Sequence, residues 1–147
     1  MLDRIRELFA DKDVAAPAPS QNLHVAACAL LLEVAWADHD MAPAELAQVS
    51  IRMQRIFDLP AHEAEAIIRA SREAHDDSVG LYAYTRLLNE ALSIEEKTEV
   101  LAAMWSVAYA EDGLDRFEEA TIRRVADLLY VPHANFIATK IDERDPN

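Results

Sequence analysis

The stretch Val34-Ala35-Trp36-Ala37-Asp38-His39-Asp40-Met41 lines up with Val107-Ala108-Tyr109-Ala110-Glu111-Asp112-Gly113-Leu114, at an offset of 107 − 34 = 73 residues. Glu45 and Glu118 keep that offset (118 − 45 = 73). Each copy runs on into an amphipathic stretch and stops at an apolar–proline pair, Leu59-Pro60 and Val131-Pro132, the second pair needing a one-residue gap. Self-similarity of this kind marks one supersecondary unit used twice. The unit reads as a buried helix, an acidic loop and a second helix. Two units imply a bundle with approximate internal two-fold symmetry.

The rest of the chain supports an all-α fold, a seven-to-eight-helix bundle with a pseudo-two-fold repeat. Only Gly80 and Gly113 are glycine, and Ala, Leu, Glu and Arg abound, which favours helix by summed propensity. Seven helical segments follow Ser20. The first runs from Gln21 to Asp38 with Ser20 as N-cap, and the second from Pro43 to Asp58. The third spans Ala61 to His75 and the fourth Val79 to Leu92. The fifth opens on the capping box Ser93-Ile94-Glu95-Glu96, and the sixth on Asp115-Arg116-Phe117-Glu118. The seventh follows Val131-Pro132. Val25 to Ala37 and Val100 to Ala110 are apolar nearly all round, so both belong in the middle of the bundle. The other segments carry single stripes, such as Val49, Met53, Ile56, Phe57 or Leu81, Tyr84, Leu88, Leu92.

Length suits one domain. Residues 1–10 read as a short amphipathic helix through Leu2, Ile5, Leu8 and Phe9. Residues 11–20 read as a Pro/Ala linker, because Pro17 and Pro19 deny helix its donors. The helical domain then covers 21–141, and 142–147 is expected to be a disordered tail. No apolar run is long enough to cross a bilayer, and no secretory leader is visible. Cys28, the only cysteine, sits in an apolar stretch and reads as a buried, inert thiol. A cytoplasmic location is expected.

With 27 acids against 14 bases, the net charge is −13. Such a surface repels phosphate backbones and excludes nucleic acid as a natural partner. It suits cations and basic protein patches. The carboxylates concentrate in the two loops: Asp38, Asp40 and Glu45 in the first, Glu111, Asp112, Asp115 and Glu118 in the second. Hard divalent cations, calcium or magnesium, take several oxygens from one loop, although the spacing is not that of an EF-hand. End-capping alone accounts for Glu45, Asp115 and Glu118. It does not account for Asp38, Glu111 or Asp112, which face the unfavourable pole of a helix C-terminus. All seven are candidate cation ligands, and no cofactor is otherwise implied.

Catalytic arrangements are absent. No Glu-x-x-His occurs for a di-iron bundle, and Ala66 stands where a zinc protease would place the second histidine after His62-Glu63. The five histidines share no ligand spacing. A binding protein, not an enzyme, is expected, with metal-dependent hydrolysis or a plain oligomerising helical scaffold as alternatives.

The segment Ala37-Asp38-His39-Asp40-Met41-Ala42-Pro43-Ala44-Glu45 and its partner Ala110-Glu111-Asp112-Gly113-Leu114-Asp115-Arg116-Phe117-Glu118 follow an Ala-Asp-Gly-x-apolar-x-x-x-Glu pattern. With it, the chain from about Gln21 to Ile141 resembles the TerB family of bacterial tellurite-resistance and stress proteins. His39 and Glu111 depart from the pattern, standing where glycine and aspartate are usual. The resemblance implies an all-helical fold with acidic residues clustered at these loops and proposed to bind metal. It also implies protein partners, since similar domains accompany a J-domain. A basic surface, a J-domain or stress-complex component, or a second copy of the chain are the partners it brings into view.

Overall fold

The computed structural model describes residues 19–36, 42–73, 80–110 and 116–144. Among them every regular element is a helix: α1 (Pro19–Trp36), α2 (Pro43–Phe57), α3 (Ala61–Glu73), α4 (Leu81–Ala91), α5 (Ile94–Ala108), α6 (Arg116–Leu128) and α7 (His133–Arg144). The N-terminal helix expected over 1–10 and most of the linker lie outside the described residues.

The core is built on α1 and α5. Leu30, Leu31 and Leu32 are consecutive and all buried. Three successive residues sweep about 200° of a helix, so α1 must be covered on nearly every side. α1 packs on α2, α3, α4, α5 and α6, and α5 on α1, α2, α6 and α7. Each fully buried leucine contributes about 1.5–3 kcal/mol, so these two helices carry most of the hydrophobic stabilisation. Cys28 is buried at the α1 core, and burial pushes its thiol up to about 12.

The two halves repeat one another in detail. α2 and α6 begin at Pro43 and Arg116, again 116 − 43 = 73 residues apart. Both halves then close the second helix in the same way. Leu59 N–H donates to Gln54 O at 3.0 Å, and Val131 N–H to Ala126 O at 3.1 Å, the six-residue bond of a Schellman motif. The left-handed residue each motif requires is Asp58 (φ 53°) and Tyr130 (φ 59°). The next helix then opens with Ala64 N–H to Pro60 O and Phe136 N–H to Pro132 O, both 3.1 Å. Helix contacts are reciprocal too: α1 meets α2, α3 and α6, and α5 meets α6, α7 and α2. α4 stands outside this symmetry and packs on α1 and α6.

Some boundaries differ from expectation. α1 starts at Pro19, which puts Ser20 inside the first turn and not at the N-cap position. Proline fits there because the first helical amides have no internal acceptor anyway. α4 starts at Leu81, with Gly80 as its N-cap. Residues 142–144, expected in a disordered tail, continue α7. They are held because Glu143 takes a two-pronged ion pair from Arg52 of α2, Nη1–Oε1 2.9 Å and Nη2–Oε2 3.2 Å. Among the described residues, no helix is long and apolar enough to cross a membrane.

Candidate functional site

Of the seven candidate cation ligands, Asp38, Asp40, Glu111, Asp112 and Asp115 lie outside the described residues. Glu45 and Glu118 are described, and they occupy equivalent places in the first turns of α2 and α6. Both are buried, at 3% and 2% exposure. Glu45 Oε1 accepts from Ala42 N–H at 3.0 Å, which is half a capping box, since Ala42 has no side-chain oxygen to reciprocate. Ser93 and Glu96 at the start of α5 form the complete box: Glu96 N–H donates to Ser93 Oγ at 3.1 Å, and Ser93 N–H to Glu96 Oε1 at 2.8 Å. Glu96 is exposed where Glu45 and Glu118 are buried. Among the described residues no three His, Cys, Asp or Glu side chains come together to hold a metal ion.

Two of the described histidines, His24 and His133, lie against aromatic rings, and His62 is exposed on α3. His24 lies 4.3 Å from the Phe57 ring centroid, and burial pushes its imidazole below the ordinary value while Glu63 opposes the shift. His133 stacks near Phe136. A buried lysine and a half-buried asparagine serve the end of α6. Lys97 Nζ donates to Leu129 O at 3.1 Å, and Asn89 Nδ2 to Leu128 O at 2.9 Å, filling carbonyls that the helix leaves open.

Beside the first acidic segment, the structure opens a groove of about 760 Å³ between α2 and α3, at the C-terminal end of α1. Its apolar lining is Trp36, Leu46, Ala47 and Ile68, and Glu65, Arg69, Arg72 and Glu73 of α3 stand along one side. Trp36 is half-buried there. The remaining lining escaped the sequence reading, which followed the acids and not the residues between them. The sequence signal existed: applying the repeat offset to Leu46 and Ile68 gives Glu119 and Lys140 (46 + 73 and 68 + 72), an apolar pair exchanged for a charged one.

In the second half, a smaller groove of about 380 Å³ lies at the matching place on α6, lined by Arg116, Glu119, Ala120 and Arg123, the equivalents of Pro43, Leu46, Ala47 and Ser50. Lys140 forms an ion pair with Glu119 and sets its ammonium 5.5 Å from the Trp105 ring centroid. Tyr109, the equivalent of Trp36, feels the same group of charges. Burial pushes its phenol up, Lys140 and Arg144 oppose this, and Glu119 adds to it. Arg123 lies over the Phe136 ring at 5.1 Å from the centroid.

The all-helical repeat and its paired acidic turns agree with the profile described as Tellurite resistance protein TerB, which matches residues 24–141. The chain belongs to the TerB family. Comparison with curated proteins and with solved structures found no match. The TerB match begins inside α1 and ends inside α7, so it takes in both copies of the repeat and α4 between them.

Proposed function

We propose that this TerB-family chain is an interaction or scaffold module of the stress and tellurite-resistance type, acting by binding and not by catalysis. Its two acidic inter-helix segments take a divalent cation, calcium or magnesium, or a basic protein surface. The observation that carries the reading is the burial of Glu45 and Glu118 at equivalent first turns, each closing a segment rich in further carboxylates. Burying a carboxylate costs several kcal/mol unless donors or cations compensate it. The matching placement of Glu45 and Glu118 in both halves supports a shared use.

Calorimetric titration of calcium, magnesium, manganese and zinc, with melting temperature followed alongside, tests the cation. Binding heat and a raised melting temperature are expected, both abolished by Asp38→Asn with Asp112→Asn. Millimolar cation with neither heat nor thermal shift removes the cation from the reading. A defined oligomer by light scattering in that case would favour a plain scaffold.

A further inference from the structure

α6 and α7 differ from the rest of the molecule in charge. Residues 116–144 hold five bases and five acids (5 − 5 = 0), so the whole net charge of −13 lies elsewhere in the chain. Most acids of these two helices are engaged internally. Glu118 is buried, Glu119 pairs with Lys140, and Glu143 pairs with Arg52. The bases on the outer face of α6 are not. Arg116, Arg123 and Arg124 are exposed and line the α6 groove with Glu119, Ala120 and Asp127. Among the described residues, none of these three arginines forms an ion pair or a side-chain hydrogen bond, and Arg123 only lies against the Phe136 ring. With Glu119 neutralised by Lys140 and Asp127 set against one arginine, the groove keeps two positive charges (3 − 1 = 2). The shared fold does not call for them. Subtracting the repeat offset of 73 from Arg116, Arg123 and Arg124 gives Pro43, Ser50 and Ile51, all uncharged.

We infer that the α6 groove docks an acidic segment of a partner protein, whose carboxylates pair with Arg116, Arg123 and Arg124. The guanidinium fork matches a carboxylate with two parallel hydrogen bonds. Ala120 lies one helical turn from both Arg116 and Arg124, so a small, exposed floor separates the cations and admits the partner's side chains. Asp115 precedes Arg116 in the chain, but Arg123 stands about 10 Å further along the axis, beyond the roughly 8 Å screening length at physiological salt. Two other anionic occupants are disfavoured. A net charge of −13 repels an extended polyanion or an anionic membrane over the whole surface, whereas a short acidic segment meets only the groove. The same charge on two copies of the chain opposes self-docking. The inference goes beyond the cation reading and uses none of its seven residues as a contact.

The test uses the full chain and a fluorescein-labelled twelve-residue glutamate–alanine peptide, with a glutamine–alanine peptide of equal length as its counterpart. Fluorescence anisotropy at about 50 mM NaCl should show the glutamate peptide binding and the glutamine peptide not binding, with binding lost on raising the salt to about 0.5 M. Arg116→Gln with Arg124→Gln should weaken the glutamate peptide roughly tenfold or more. Ala120→Glu, at the exposed floor, should weaken it comparably. Arg55→Gln with Arg86→Gln removes the same two charges from α2 and α4 and should leave affinity within about twofold. No binding of the glutamate peptide, equal binding of the glutamine peptide, or equal effects of the two arginine pairs would each overturn the groove. So would binding to phosphatidylserine vesicles that needs Arg116 and Arg124 while the glutamate peptide fails to bind. Asp38→Asn with Asp112→Asn, the cation variant, should not weaken the peptide. Cation binding lost there with peptide binding kept leaves the groove standing whatever becomes of the cation, and peptide binding lost there would overturn the groove.

Discussion

Leu46 and Ile68 line an open groove in the first half of the molecule, whereas Glu119 and Lys140, at the same places in the second half, pair with each other. Asp58 and Tyr130 hold the same left-handed turn with unlike side chains. Arg52 and Val125 are equivalent and both buried, yet one is a cation and the other a hydrocarbon. The backbone of the repeat is fixed by its turns and by the residues facing α1 and α5. The outward faces are free to diverge, and there the first half lines its groove with Leu46 and Ile68 where the second half places the Glu119–Lys140 ion pair. Substitutions made at equivalent positions therefore separate what the fold needs from what each half does.

The largest contrast is expected at Glu143 and its equivalent, Ser71 (143 − 72 = 71). Glu143 holds the Arg52 guanidinium with both oxygens, and Arg52 is 8% exposed with its Nε already unpartnered. Glu143→Ala leaves a buried cation without its counter-ion and should cost about 2–3 kcal/mol in urea denaturation. Ser71 lies beside the Cys28 sulfur, but its hydroxyl forms no hydrogen bond of good geometry. Ser71→Ala removes a buried polar group with no good partner and should change stability by less than about 0.5 kcal/mol. A cost for Ser71→Ala as large as for Glu143→Ala would mean that α3 and α7 are anchored alike.

A smaller effect is expected on turning the second half into the first. Glu119→Leu with Lys140→Ile replaces a half-buried ion pair by the apolar pair found at Leu46 and Ile68. Such exchanges are close to neutral, so the double variant should lie within about 1 kcal/mol of the parent. Each single change strands one partner and should cost about 1 kcal/mol, so the singles sum to more than the double. Additive losses across the cycle would show that Glu119 and Lys140 are independent.

The fold was largely legible because its determinants are local. The apolar stretches at Val25–Ala37 and Val100–Ala110, the Leu59-Pro60 and Val131-Pro132 stops and the Ser93–Glu96 box all act within a few residues. What escaped was non-local. Arg52 and Glu143 are 91 residues apart, and nothing near residue 143 announces the partner that extends α7 past Ile141. The acidic site was only partly legible. Sequence marks where carboxylates crowd, and the two that the structure describes, Glu45 and Glu118, are buried at matching turns. Convergence of the others depends on loop geometry that spacing does not encode. The groove was missed because a cavity is an absence of side chain, which no single position in the sequence announces.

The smallest contrast concerns the two left-handed turns. A side chain with a Cβ costs about 1–2 kcal/mol in that conformation, but aspartate tolerates it through local hydrogen bonding, and tyrosine does not. Tyr130 is 75% exposed, so its ring returns little burial to offset the strain. Tyr130→Gly should therefore stabilise the chain by about 0.5–1 kcal/mol, net of the extra freedom glycine gains when unfolded. Asp58→Gly should be near neutral, because aspartate relinquishes less strain for the same unfolded-state cost. Both are read from the midpoint of urea denaturation at unchanged slope. A loss of stability in Tyr130→Gly would place the tyrosine ring in a contact that repays its backbone, and the two turns would then differ in packing and not in strain.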